Sequence, residues 1–310
     1  MAAITAQMVK ELREMTQAGM MDCKKALVEA EGDFDKAVEW LREKGLAQAA
    51  KKAGRIAAEG AVASFISDNA QVGVIVEVNC ETDFVANTDK FQDFCKAVAK
   101  HIAQADPKDV DELMNQKFVD DESKTITDLV SDATVSIGEK ISIRRFARYA
   151  TEAGVVESYI HMGGKIGALL LVENDTPDTF GNEEFRTFYH DIALQIAASK
   201  PLYVRRDEVP EDVLATERKI AREKALNEGK PEKIVDRIVD GNIEKYYKEN
   251  CLTEQIFVKN PDVNINTLTA QVAKAIGANL KLVSFQRFER GEGIEKRQDN
   301  FAEEIASMMK

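Results

Sequence analysis

One stretch of the chain alternates apolar residues with others before it reaches an unexpected aromatic residue. Val72, Val74, Val76 and Val78 recur with a period of two, which predicts a strand with one buried face. The strand leads into ETDFV, residues 81 to 85, where the chain should turn towards water. The large apolar side chain of Phe84 therefore needs a role in a core or at a contact.

The chain contains an internal repeat. Six residues recur unchanged 94 positions later: Gly60, Val62, Ser64, Ile66, Gly73 and Val78 match Gly154, Val156, Ser158, Ile160, Gly167 and Val172. An apolar stripe at helical spacing extends the match, with Phe91, Phe94, Val98, Ile102 and Ala103 against Phe185, Phe188, Ile192, Ile196 and Ala197. Each copy is predicted to form a hairpin, a helix and a later strand, ISIRRF in one copy and VSFQRF in the other. These strands can complete two small antiparallel sheets.

The spacing between matching residues then grows, which indicates an insertion in the second copy. Gly138 matches Gly277, an offset of 139 in place of 94, so the difference is about 45 residues. The inserted segment has two strongly helical parts joined at Gly229, Lys230 and Pro231, where glycine ends one helix and proline favours the start of the next. This pattern predicts a projecting antiparallel coiled-coil hairpin.

The N-terminal residues predict a small module of three short helices. Thr5, Asp22 and Asp33 are candidate caps for these helices, and Gly45 is the expected end of the third. The module could resemble a ubiquitin-associated domain in shape. Met20 and Met21 are consistent with an adaptable contact surface and equally with filling the small core.

These patterns together predict an α+β protein. The expected units are an N-terminal helical module (1–46), a helical linker (47–59), a first core subdomain (60–150), a second core subdomain (151–208 and 251–291), the inserted hairpin (209–250) and a C-terminal tail helix (292–310).

Composition narrows the possible partners. The net charge of −12 argues against binding to nucleic acids or to anionic membranes, because both depend on positive charge. No apolar run of about 18 residues is present, so a cytoplasmic protein without a membrane partner is expected. The four cysteines are scattered and only three histidines accompany them, which predicts free buried thiols and no metal site. A protein or a small molecule is the expected partner.

Enzyme signatures are missing from the sequence. It contains no phosphate-binding GxxxxGK[ST] loop, no GxGxxG fingerprint, no HExxH motif and no GxSxG elbow. His161 falls at the expected tip of the second hairpin, but no neighbouring cysteine or acid makes it a persuasive catalyst. The chain is therefore expected to be neither an enzyme nor the carrier of a cofactor.

The two copies differ where Phe84 lies. At the same offset the second copy has Pro177 and Asp178, so the shared scaffold does not require an aromatic residue at this register. The difference favours a contact role for Phe84 without excluding a core role, because Phe180 lies two positions further on. Thr82 or Asp83 could also simply cap the next helix.

Two stretches resemble the signatures of a known family. LREMTQAGMMDCKKAL (12 to 27) and EVNCETDFVAN (77 to 87) are similar to those of bacterial elongation factor Ts, the guanine-nucleotide exchange factor of elongation factor Tu. The resemblance implies that Asp83 and Phe84 reach into the partner GTPase and displace elements that hold Mg²⁺ and the phosphates. Thr82 and Val85 would shape this motif.

The resemblance also implies secondary contacts. Met20 and Met21 would touch the GTPase domain, and His161 would touch another domain of elongation factor Tu. Exchange would need no covalent chemistry and no cofactor from this chain. A non-catalytic helical adaptor is the alternative function.

Overall fold

The computed structural model describes residues 4–16 and 18–295 and confirms the α+β class. The predicted tail helix lies mostly outside the described residues. Three helices come first: α1 (Ala6–Thr16), α2 (Met20–Glu29) and α3 (Phe34–Lys52). Their apolar faces meet in a small core of their own, which includes Leu12, Cys23 and Leu27.

The predicted helix boundaries in this region are partly wrong. Thr5 and Asp33 do cap α1 and α3 by accepting hydrogen bonds from the backbone amides of Met8 (3.2 Å) and Lys36 (3.1 Å). Asp22 is not a cap: it lies inside the first turn of α2, where it pairs with Lys44.

The third helix also runs past its predicted end. Gly45 lies inside α3, and residues 47–52 of the predicted linker belong to the same helix. Gly45 packs beside Val135, so a glycine here permits close approach to a neighbouring helix. The alanine-rich segment that follows has a high helix propensity, which explains why the glycine does not end the helix.

Two three-stranded antiparallel sheets form the centre of the molecule. The first sheet has the order β1 (Glu59–Ile66), β2 (Val72–Cys80) and β5 (Ser142–Ala150). The second sheet has the order β10 (Leu280–Glu289), β7 (Ile166–Asn174) and β6 (Gly154–His161). Each predicted hairpin is thus completed by a strand from much later in the chain.

Helices and small hairpins surround the two sheets. In the first half they are α4 (Asp83–Ala86), α5 (Asp89–Ala105), α6 (Val110–Asn115), β3 (Lys117–Phe118), β4 (Asp121–Thr125) and α7 (Ile126–Ile137). In the second half they are α8 (Glu183–Ser199), α9 (Glu211–Asn227), α10 (Glu232–Asn250), β8 (Ile256–Phe257), β9 (Asn260–Asn264) and α11 (Ile265–Ile276). Because α5 covers the first sheet and α8 covers the second, the centre has four layers.

The inner faces of the sheets pack on each other in a reciprocal way, because residues that match between the two copies make equivalent contacts. Gly73 lies against Val156, and Gly167 lies against Val62; a Cβ atom on either glycine would fall 2.4 Å from a valine methyl group. The hydroxyl of Ser158 donates a hydrogen bond to that of Ser64 at 3.0 Å. These contacts leave no room for a side chain at either glycine.

A buried carboxylate fastens the two sheets together. The side chain of Glu77 in β2 is fully buried, and its oxygens accept hydrogen bonds from Arg144 at 3.0 Å and from Arg145 at 2.6 Å. The backbone amide of Gly291, just after β10, also donates to Glu77 at 2.8 Å. Glu77 therefore connects the first sheet to the end of the last strand of the second.

Helices α9 and α10 lie side by side and antiparallel. Ala221 and Ala225 of α9 pack against Val235 and Val239 of α10. Two ion pairs join the helices: Arg218 of α9 pairs with Asp240 of α10 at 2.9 Å, and Arg222 of α9 pairs with Asp236 of α10. Gly229 takes a positive φ of 74° in the turn that joins them, a conformation that glycine adopts without strain.

Candidate functional site

The candidate site is the turn that follows β2, residues 82–85. Thr82 precedes the short helix α4, and its hydroxyl accepts a hydrogen bond from the backbone amide of Val85 at 3.3 Å. Val85 packs against the core under the first sheet, and Ala86 is buried there. The local sequence therefore forms a capped helical turn with one side on the core.

Phe84 points away from that core. Its exposed fraction, 81%, is the highest among the large apolar side chains of the described residues. Asp83 is exposed as well. The turn thus presents an aromatic ring beside a carboxylate, while its neighbours Val85 and Ala86 hold it to the sheet.

A glutamate from another part of the chain holds the turn. The side chain of Glu139 accepts hydrogen bonds from the backbone amides of Glu81 and Thr82, each at 3.0 Å. The Thr82 hydroxyl donates a third hydrogen bond to Glu139 at 2.6 Å. Glu81 in turn accepts a hydrogen bond from the backbone amide of Lys140 at 2.7 Å.

The thiol beside the turn is a neutral donor. Burial, together with the charge of Glu139, raises the pKa of Cys80 to about 12. Its Sγ donates a hydrogen bond to the backbone carbonyl of Thr82 at 3.1 Å. All four cysteines of the chain are free and buried, as the sequence predicted, and Cys80 contributes to packing and not to chemistry.

The second copy has no comparable aromatic residue at this place. Pro177 and Asp178 are exposed in a short 3₁₀ turn, and Phe180 packs against the core under the second sheet. Phe180 thus fills a core, whereas Phe84 does not. The core interpretation of Phe84, which the sequence left open, is therefore wrong.

The two methionines also lie on the surface. Met20 and Met21 are 56% and 65% exposed at the start of α2, while Cys23 and Leu27 of the same helix are fully buried. The alternative that Met20 and Met21 fill the core of the three helices is therefore wrong. They lie on a different element from Phe84.

His161 lies at a third place, the exposed end of β6. Its Nδ1 atom is 3.1 Å from the hydroxyl of Tyr159, and the two rings stack with centroids 5.8 Å apart. Met162, the next residue, is 67% exposed in the tight turn to β7. Tyr159 and Met162 were not singled out from the sequence, although both adjoin His161.

Two other kinds of site are absent from residues 4–16 and 18–295. No group of three or more His, Cys, Asp or Glu side chains in this part of the chain could hold a metal ion. No helix in the same part is long and apolar enough to cross a membrane.

Comparison with known proteins agrees with the resemblance in the two sequence stretches. The family model described as "Elongation factor TS" matches residues 81–292. Elongation factor Ts of Clostridium kluyveri is 51% identical over 302 residues, which covers 97% of each chain. Elongation factor Ts of Clostridium tetani is 50% identical over 306 residues, which covers 99% of each chain. The chain belongs to the elongation factor Ts family.

Proposed function

We propose that the chain binds elongation factor Tu carrying GDP and promotes GDP release, which allows exchange for GTP. In this proposal the 82–85 turn enters the GTPase domain of the partner. Asp83 and Phe84 displace the elements that hold Mg²⁺ and the nucleotide phosphates. The observation that carries the proposal is the 81% exposure of Phe84 on a turn whose backbone is fixed by Glu139.

The energetics of this mechanism are reasonable. A GTPase holds its nucleotide through Mg²⁺ and backbone amides around the phosphates, so a modest shift of these groups weakens several contacts together. Burying a phenylalanine contributes about 1.5–3 kcal/mol, which can offset such a distortion. The effect is reciprocal: if this protein weakens GDP binding, GDP weakens the binding of this protein by the same factor.

The proposed exchange requires no covalent step, so the chain is not an enzyme in the chemical sense. A direct test mixes the protein, in substoichiometric amounts, with elongation factor Tu carrying fluorescent GDP. Faster loss of the bound nucleotide supports exchange. Binding without faster release would point to the alternative, a helical adaptor, and absence of both would contradict the family function for this chain.

The domain organisation is a further part of the proposal. We infer a three-helix N-terminal module shaped like a ubiquitin-associated domain, a core that arose by duplication, and a coiled-coil hairpin inserted in the second copy. The separate small core of α1, α2 and α3 supports the first inference. The Gly73–Val156 and Gly167–Val62 contacts support the second, because matching residues play reciprocal roles.

The N-terminal module supplies a second proposed contact, through Met20 and Met21. Changing both residues to serine should weaken association with elongation factor Tu several-fold. It should alter the free energy of unfolding by less than about 0.5 kcal/mol per site, as for other exposed positions. Binding titration beside a urea melt measures both quantities.

The matched control for the methionine pair lies on the same helix. Leu27→Ala removes a fully buried side chain, so it should lower the stability of the module by about 2–5 kcal/mol. If the Met20→Ser/Met21→Ser protein binds like the parent, the methionines are not a contact. If the Met20→Ser/Met21→Ser protein loses as much stability as Leu27→Ala, the two methionines contribute to the core and are not only a surface contact.

The hairpin gives a prediction about the domain boundary. The base of α10 is tied to the core, since the backbone carbonyl of Asn250 accepts hydrogen bonds from the amides of Leu202 (2.8 Å) and Tyr203 (3.1 Å). We therefore expect that replacing residues 217–241 with a short glycine-serine linker, which keeps this base, leaves a core that unfolds cooperatively. It should still release GDP from the partner, although more slowly.

Calorimetry and the fluorescent GDP assay together test the hairpin variant. A broad melt without a cooperative transition would show that the distal hairpin belongs to the core. A single sharp transition with measurable exchange would agree with an inserted unit.

A further inference from the structure

Within the described residues, Glu139 is the one side chain distant in sequence that hydrogen-bonds directly to the backbone of the 82–85 turn; the side chains of Asn87 and Thr88, which also bond to it, follow the turn immediately. Glu139 accepts all three hydrogen bonds described above, from the amides of Glu81 and Thr82 and from the Thr82 hydroxyl. It is 57 residues away from Thr82 in sequence and half-buried in the fold. A charged acceptor makes such hydrogen bonds stronger than a neutral one.

The segment that carries Glu139 is itself fixed on its other side. Gly138 ends α7 in the left-handed conformation (φ 91°), and Lys52 of α3 donates a hydrogen bond to its carbonyl at 2.6 Å. The ammonium group of Lys140 donates to the carbonyls of Ala53 (2.6 Å) and Arg55 (2.9 Å). Residues 138–140 are therefore held between the end of α3 and the turn, and Glu139 has little freedom to move away.

Comparison with the second copy shows which of these contacts occur in both copies and which occur only in the first. The contact of Glu81 with the backbone of Lys140 has a counterpart, because Asp175 accepts a hydrogen bond from the amide of Asn279 at 2.9 Å. The position that matches Glu139 is Ala278, which has no acceptor in its side chain. The amide of Thr176 is satisfied by Asn174 instead, at 3.0 Å.

The comparison argues against a purely structural role for Glu139. The second copy closes the same edge of its sheet with an alanine at this position, and there the turn exposes no aromatic side chain. The glutamate occurs in the copy that presents Phe84. A turn held in its binding geometry before the partner arrives loses less conformational freedom on association.

We propose that Glu139 is a positioning residue for exchange: it holds the backbone of Glu81 and Thr82 so that Phe84 is presented in a fixed direction. The inference rests on the proposed function of the 82–85 turn and adds to it a residue from outside the turn. Glu139 acts through Phe84 and does not itself enter the nucleotide site.

Three variants test the positioning role. Glu139→Ala removes every acceptor, Glu139→Gln keeps one acceptor oxygen at nearly the same place, and Glu152→Gln changes an exposed loop glutamate between β5 and β6 as a matched control. Amide hydrogen exchange followed by NMR reports on the Glu81 and Thr82 amides in the free protein. Release of fluorescent GDP from elongation factor Tu at saturating factor reports on function.

We expect Glu139→Ala to speed exchange of the two amides at least tenfold and to lower the maximal GDP release rate about fivefold. Glu139→Gln should give a smaller change of both quantities, and Glu152→Gln none. Adding Glu139→Ala to Phe84→Ala should produce no further loss of release, since residues that act through one another are not additive. A merely structural residue would instead add its effect to that of Phe84→Ala.

The outcomes separate this inference from the proposed function. Parent-like release by both Glu139 variants, with Phe84→Ala defective, would overturn the positioning role and leave the function of the turn intact. Parent-like release by Phe84→Ala would overturn the function itself. If Glu139→Ala fails to fold, Glu139→Gln decides alone, and unchanged amide exchange together with unchanged release in that variant contradicts the inference.

Discussion

Phe84→Ala is expected to slow the factor-stimulated release of GDP from elongation factor Tu by at least about tenfold. Such a change corresponds to about 1.4 kcal/mol of lost transition-state stabilisation. The physical reason is the loss of the ring that would displace the phosphate-binding elements of the partner. Asp83→Asn should act in the same direction but less strongly, because it keeps the shape of the side chain and removes only its charge. Stopped-flow fluorescence of labelled GDP measures both rates.

The Phe84 variant should fold like the parent protein, because the side chain it shortens is 81% exposed. The matched control is Phe91→Ala on α5, where the side chain is fully buried in the core under the first sheet. That change should lower the free energy of unfolding by about 3–5 kcal/mol. If Phe84→Ala unfolds the protein, or leaves stimulated release unchanged, the displacement mechanism fails for this chain.

Glu77→Ala should lower the free energy of unfolding by about 3–5 kcal/mol. The substitution leaves Arg144 and Arg145 without their buried partner, and it leaves the amide of Gly291 without its acceptor. The cost is large because the two mostly buried arginines lose the carboxylate that they share, although Arg145 keeps its ion pair with Glu292 at 3.2 Å. Urea unfolding monitored by circular dichroism gives the change in free energy.

Glu173→Ala is the matched control for Glu77. Glu173 pairs with Lys281 at 3.4 Å on the surface of the second sheet, where both side chains are about half exposed. Surface pairs contribute about 0–1 kcal/mol, so the control should unfold almost like the parent. If Glu77→Ala and Glu173→Ala lower the free energy of unfolding equally, the buried Glu77 network stabilises the fold no more than a surface ion pair does.

Much of the fold was predictable because it depends on local pattern. The alternation of valines gives the strand β2, and the stripe that includes Phe91 and Phe94 gives α5, since both patterns reflect burial of one face. The end of α3 was not predictable from local rules. Gly45 ordinarily signals a helix end, but its contact with Val135 of α7 arises only in the folded chain.

The candidate site was predictable only in part. Comparison of the two copies singled out Phe84, because a scaffold that folds with Pro177 and Asp178 does not require an aromatic residue there. The local sequence around Glu139 does not indicate a role in the site, because the hydrogen bonds of Glu139 are to residues 57 and 58 positions away. Alignment of the two copies does show a difference at this position, because Glu139 matches Ala278 in sequence. Only the fold shows which groups the glutamate binds.

The close contact of the two sheets has a mechanical consequence. A side chain that pushes against a partner needs a stiff backing, because a hinge behind it would absorb the force. Because Gly73 and Gly167 have no side chains, Val156 and Val62 of the opposite sheets pack directly on them. Sliding one sheet over the other would make these valines clash with neighbouring residues. The interlocked faces therefore resist sliding, and we expect the two halves of the molecule to move together when Phe84 presses against a partner.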